Sequence, residues 1–194
     1  MENNKTIMEK KKFVSLDLLR AISALIVAFG HSRFIMLLPS SEVANMGYLN
    51  KFIYFIAGFG PQAVIVFFVL SGFFITRSID NSLKKDSFSL KNYFTDRYFR
   101  LSIVAIPAVI LTLLLDRLSF EFFESQTLYF ERFDWMDNTS YRIETFLGNI
   151  FYLQTLFFTS FGSNGPLWSL AYEWWFYVLA PFLLIPVKFH KVVV

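Results

Sequence analysis

The sequence predicts an all-α protein, a polytopic transmembrane helix bundle of about five spans with its N-terminus in the cytoplasm. Three observations predict it: an apolar composition, five apolar runs of near-spanning length, and an uneven sharing of charge between the connecting segments. Of the 194 residues, 55% are apolar and 17% charged, 26 are Phe, and the mean hydropathy is +0.48. An ordinary globular domain carries roughly 25% charged residues. A soluble fold of this length keeps too large an exterior to hide so much apolar surface. The same figures exclude a disordered chain and a disulfide scaffold, since there is no Cys.

The first 20 residues are polar and basic, with Lys5, Lys10, Lys11 and Lys12 ahead of the first apolar run at residues 21–38. Ala28-Phe29-Gly30 offers small residues at the spacing of a signal-peptide cleavage site, but Asp17 and Arg20 abut the run and the polar lead is long, so the segment is expected to be retained. A second run covers residues 52–76, and its charge-free part, 58–76, is long enough at about 1.5 Å per residue to cross most of a roughly 30 Å hydrocarbon core. The third run, 101–115, is short and holds Pro107; the fourth, 146–161, is also short; the fifth, 167–187, is long and contains Glu173. Short or broken segments still span when neighbouring helices cover them. One transmembrane domain is expected over residues 1–194. Because the chain stops at Lys191 and three Val, a further segment is expected beyond it, the domain being truncated at its C-terminal end.

Charge sets the orientation. Residues 77–100 hold six basic residues against three acids, and residues 116–144 hold three Arg against seven acids. The basic side is therefore cytoplasmic and the acidic loop outside; Lys188 and Lys191 oppose this, because five crossings would leave them outside. The acidic loop, 117–145, is long for a structureless connection and is expected to carry short helices of its own.

Four clusters carry polar chemistry into these apolar surroundings. Arg20 and His31 are eleven residues apart, which on one helix places them on a shared face about 16 Å apart. Ser71-Gly72 lies in the second run, Arg97 and Arg100 project from one face at the entry to the third, and Glu173 lies about one and a half turns after Gly165-Pro166. Each has an ordinary reading: Arg20 snorkelling and His31 hydrogen-bonded inside the bundle, Ser71 and Gly72 packing closely against a neighbour, the two Arg anchoring the cytoplasmic face, and Glu173 in a structural ion pair with Arg20, Arg97, Arg100 or His31. Each also has a functional one, since ionisable groups inside a membrane mark sites and Arg forks suit phosphate. Arg20, Ser71, Arg97, Arg100 and Glu173 all map to the cytoplasmic half, with His31 deeper, so one inward-opening polar pocket accommodates them all. Two His, no Cys and scattered acids give no metal-ligand spacing, and no nucleic-acid motif is present.

On these residues the sequence resembles the membrane-bound acyltransferase family 3, which acylates bacterial surface carbohydrates. The resemblance rests on Ser15-Leu16-Asp17-Leu18-Leu19-Arg20-Ala21 with His31 following, on Phe67-Phe68-Val69-Leu70-Ser71-Gly72, on Arg97-x-x-Arg100, and on Trp168-Ser169-Leu170-x-x-Glu173 followed by Phe176-Tyr177. Leu18 stands where a Gly is common in the family, no Pro shortly follows Arg100, and Trp174 replaces a second acid. Members have about ten membrane helices, so the chain would cover the N-terminal half. The resemblance implies acyl transfer from cytoplasmic acetyl-CoA to a hydroxyl of a lipid-linked or cell-surface carbohydrate, in the bacterial inner membrane among its lipids. It implies His31 as base, because an imidazole titrates near neutrality. It implies Arg97 and Arg100, with Lys84 and Lys85 as weaker candidates, at the donor phosphates. Glu173 would orient His31 or hold an Arg, Arg20 would bind phosphate or steady thioester charge, and Ser71 would donate a hydrogen bond. The rival readings are a transporter or channel subunit using the same pocket and an inactive remnant of a truncated acyltransferase.

Overall fold

Apolar runs unbroken by polar side chains leave the backbone no partner but itself, and they form helices here. A computed structural model of the protein describes residues 2–37, 40–43, 46–122 and 140–192. Among the described residues six α-helices follow in order: α1 (Glu2–Met36), α2 (Tyr48–Ala57), α3 (Gly60–Lys84), α4 (Leu90–Phe122), α5 (Ile143–Ile150) and α6 (Leu167–Val192), with a 3₁₀ turn at Ser40–Glu42 between α1 and α2. Among the described residues there is no strand, and four stretches are long and apolar enough to cross a membrane: Phe13–Arg33, Tyr48–Lys84, Leu90–Phe122 and Leu167–Ile185. The chain is an all-α, multi-pass membrane protein. It divides into two compact units, Met1–Arg77 and Ser78–Val194.

In the first unit the expected second run is two helices rather than one. α2 ends at Gly58, whose N–H bonds back to Tyr54 O at 3.0 Å, and Pro61 follows at the start of α3, where its fixed φ and missing donor cost nothing. α1 lies antiparallel to α3. Phe13 stacks on Phe73 and lies 3.5 Å beneath the Arg77 guanidinium; further along, Arg20 reaches Phe74 and Phe67; at the far end Gly30 meets the α2–α3 turn. A Cβ on Gly30 would stand 3.3 Å from the Ala57 carbonyl oxygen and 3.6 Å from Gly60 Cα, so a larger residue would push this close backbone approach apart by a few tenths of an ångström.

In the second unit α4 and α6 are antiparallel. Tyr93 faces Tyr177, Phe94 and Tyr98 face Trp174, Val109 packs with Leu167, and Thr112 and Asp116 meet Asn164 and Ser163. α4 runs unbroken through Pro107, as membrane helices tolerate where neighbours cover the freed carbonyl.

The fourth expected span is corrected here. Residues 146–161 are not a crossing helix: α5 stops after eight residues, and irregular backbone returns from Tyr152 to Phe161 alongside it. The buried amide of Asn149 is the reason. Its Nδ2 donates to Thr145 O (2.8 Å) and Thr159 O (3.0 Å), and its Oδ1 accepts from Phe161 N (3.1 Å), stitching helix to return. Gln154 Nε2 donates to Leu167 O (2.9 Å), and Trp175 Nε1 to Tyr152 O (3.1 Å). The hairpin packs beside α4 from Tyr98 to Asp116, a stretch containing its apolar run, so its backbone polar groups must be met by protein, and these side chains meet many of them. A re-entrant hairpin removes one crossing. The C-terminal end of α6, Lys188 and Lys191 with it, then falls on the side where α4 begins, which resolves their conflict with the charge rule. Of the acidic loop, residues 123–139 lie outside the described residues, as do Val193 and Val194.

The hairpin is pinned at its other end by Asp116. Oδ2 accepts from Tyr141 Oη (2.9 Å) and Ser163 N (2.9 Å), and Oδ1 from Ser163 Oγ (2.5 Å). Burial, reinforced by this bond to a carboxylate, holds the Tyr141 hydroxyl well above the usual tyrosine range. Gly148 is the tightest point: a Cβ there would overlap the Phe158 ring. Gly148→Ala is expected to destabilise the protein by about 1–3 kcal/mol through overpacking, read as a lower melting temperature in detergent; an unchanged melting temperature would mean the ring is not held against the helix.

Candidate functional site

Within the second unit, the last turns of α3, the 85–89 turn and the first turns of α4 enclose a polar cavity of about 510 Å³ lined by Ser78, Ser82, Asn92, Tyr93, Asp96, Arg97 and Arg100, among others. Arg97 and Arg100, chosen from spacing, both line it. Arg97 is half-buried and firmly held. Its Nη2 donates to Ser78 Oγ at 2.8 Å, and its guanidinium lies 5.4 Å from the centroid of the Tyr93 ring, one turn back on α4, and 5.3 Å from that of Tyr177 on α6. Such contacts over a ring face contribute about 0.5–2 kcal/mol and immobilise the fork. Arg100 is exposed, without an ion pair among the described residues.

Glu173 lies on the turn of α6 preceding Tyr177, and Tyr177 Oη donates to its Oε1 at 2.7 Å. An ion pair with Arg20, Arg97, Arg100 or His31 was expected from the sequence; the partner the structure gives is a phenol. A tyrosine hydroxyl serves a half-buried carboxylate well because it supplies a hydrogen bond without a second ion to desolvate. Tyr177 is buried, 3% exposed, and Tyr93 Oη donates to its carbonyl at 3.1 Å, locking the two helices at this level. Lys84 is occupied elsewhere, its Nζ 2.8 Å from Asp80 Oδ2.

The first unit holds Arg20, His31 and Ser71. Arg20 lies over Phe74 (5.5 Å) and Phe67 (6.0 Å), which with Ser71 occupy one face of α3 at i, i+4 and i+7. The structure thus joins Arg20 to the Phe67–Gly72 motif. Ser71 is 2% exposed and, among the described residues, its Oγ has no hydrogen-bond partner. Other helical hydroxyls of the unit do bond back: Ser23 to Leu19 O at 2.8 Å and Thr76 to Gly72 O at 2.9 Å. His31 is half-buried on α1, one residue after Gly30 and about 16 Å of helix rise from Arg20.

Sequence reasoning missed Tyr93 and Ser78, and named Tyr177 only as the end of a motif, with no role. A signal existed for the two tyrosines. Tyr93–Arg97 and Glu173–Tyr177 are both i, i+4 pairs and so share a helix face; Ser78 had none, being brought to Arg97 by the turn between α3 and α4.

Comparison with known proteins adds three findings. A family model described as an acyltransferase domain, of the acyltransferase 3 type, matches residues 13–193. An uncharacterised protein of Haemophilus influenzae (strain Rd) is 36% identical over 125 residues, 62% of this chain and 47% of its own. The peptidoglycan O-acetyltransferase OatA of Listeria monocytogenes serovar 1/2a is 31% identical over 195 residues, 96% of this chain and 27% of its own. The chain therefore spans less than half the length of these curated relatives. No solved structure matches.

Proposed function

The chain belongs to the acyltransferase 3 family, and from that premise we propose that it moves an acetyl group from cytoplasmic acetyl-CoA to a hydroxyl of a cell-surface or lipid-linked carbohydrate, working in the bacterial inner membrane. The observation that carries this reading is the polar cavity with the Arg97 fork fixed at its edge and Arg100 beside it. Coenzyme A carries a pyrophosphate and a 3′-phosphate, and guanidinium forks are the side chains best shaped to bind them. The Ser and Asn groups around the cavity supply neutral hydrogen bonds to the same oxygens. The cavity opens where α4 begins, on the side made cytoplasmic by the basic residues at 77–100, which is where the donor is made available. The acceptor class is supported by the relative whose name assigns it peptidoglycan.

In this reading His31 takes the proton of the acceptor hydroxyl as that oxygen attacks the thioester carbonyl, and the coenzyme A thiolate departs. Arg20 steadies the charge developing on the carbonyl oxygen or holds a donor phosphate, and the unpartnered Ser71 Oγ on the same α3 face donates to the donor. Glu173 holds its place in the Arg97 cluster through Tyr177.

The test is transfer of label from acetyl-CoA, supplied to the protein in proteoliposomes, to an added glycan. The expected product is a labelled, alkali-labile ester on the glycan. Donor binding without any labelled glycan would overturn the carbohydrate acceptor, and absence of donor binding would overturn acetyl-CoA.

A further inference from the structure

Arg97 has five N–H donors; among the described residues Ser78 Oγ accepts from one at 2.8 Å and the Tyr93 phenol engages the same guanidinium, which leaves further donors for a ligand. What keeps the remaining donors free is notable, because a carboxylate stands close by. Glu173 and Arg97 both touch Tyr177, one at its hydroxyl and the other over its ring, and the charges of Glu173, Arg97 and Arg100 all act on that phenol. An acid and a guanidinium that share one contact residue in weakly hydrated surroundings attract each other, and a paired Arg offers far less to a phosphate. Yet Glu173 forms no ion pair among the described residues. Its Oε1 is engaged at 2.7 Å by a neutral donor, and that donor cannot swing away: Tyr177 is 3% exposed, and its backbone carbonyl is bonded to Tyr93 Oη. Asp96, the acid among the cavity's lining residues, makes no ion pair either.

We propose that Tyr177 is a positioning residue that insulates Arg97 from Glu173. Its hydroxyl holds the carboxylate aside while its ring supports the guanidinium, so the fork stays free to receive an anionic ligand. This rests on the donor reading above and identifies what keeps that subsite charged. Tyr177 touches neither the donor nor the reacting atoms; it acts through Arg97.

The experiment is equilibrium binding of coenzyme A to the protein in lipid nanodiscs, comparing wild type with Tyr177→Phe, Glu173→Gln and the double variant. Tyr177→Phe keeps the ring and its packing but releases Glu173 to pair with Arg97, and is expected to weaken coenzyme A binding about tenfold, near 1.4 kcal/mol. Glu173→Gln removes the competing charge, so in its background the further change Tyr177→Phe is expected to alter affinity by no more than about twofold. A hydroxyl with a merely structural role would not show that dependence on Glu173. Wild-type affinity in Tyr177→Phe, or a Tyr177→Phe loss as large in the Glu173→Gln background as in the wild type, would each overturn the insulating role while leaving the donor reading in place. Failure of the wild type to bind coenzyme A would overturn both.

Discussion

Arg97→Ala is expected to weaken coenzyme A binding by roughly tenfold to a hundredfold, the equivalent of about 1.5–3 kcal/mol for hydrogen bonds involving a charged group. Two features put Arg97 ahead of Arg100 in expected effect. Arg97 is held before any ligand arrives, by Ser78 and two aromatic rings, so little side-chain entropy remains to be lost on binding. Arg100 is exposed and must be ordered by the ligand. Arg97→Lys keeps the charge but loses the planar fork and its fit over Tyr93 and Tyr177, so most of the loss is expected to persist. Titration calorimetry of the three proteins checks this ordering; equal affinity for wild type and Arg97→Ala would show that the cavity beside α4 is not where the donor phosphates bind.

His31→Ala carries the other large effect. Removal of a general base lowers turnover by roughly a hundredfold to ten-thousandfold, and coenzyme A affinity is expected to stay within about twofold, since a side chain that only takes a proton contributes little to donor binding. The split between turnover and affinity is the diagnostic part. Loss of both together would make His31 a binding or packing residue, and loss of neither would remove it from the reaction.

Much of the fold was legible because its main signal, a run of apolar residues as long as a bilayer is thick, is independent of how helices later pack. α4 and α6 each contain one of the runs read from the sequence, α1 carries most of the first, and α2 and α3 share the second. The hairpin of α5 and its return was not legible as such. Phe146, Phe151, Phe157, Phe158 and Phe161 give residues 146–161 the composition of a span, and composition does not distinguish Phe161, 1% exposed against Val109 and Leu167, from a residue facing lipid. The distinguishing residues were Asn149 and Gln154, amides that serve irregular backbone inside the protein. The unexplained Lys188 and Lys191 were the sequence's own sign that one crossing had been counted too many.

The candidate site divided in the same way. Arg97, Arg100 and Glu173 stood out because charge in an apolar run is costly and therefore visible. Tyr93 and Tyr177 did not, since aromatic residues near a membrane surface are ordinary; their importance lies in which atoms they touch, and that depends on α4 and α6 lying antiparallel at one register. Ser71 was visible as a motif, but its unpartnered Oγ could be learned only from the structure.

The most direct test of the central claim is saturable binding of acetyl-CoA to the purified wild-type protein in nanodiscs, with free coenzyme A and then pantetheine as competitors. A donor held by its phosphates at Arg97 and Arg100 predicts saturation with displacement by coenzyme A, and little displacement by pantetheine, which lacks phosphates. Absence of saturable binding by folded protein, or equal displacement by pantetheine, would contradict it.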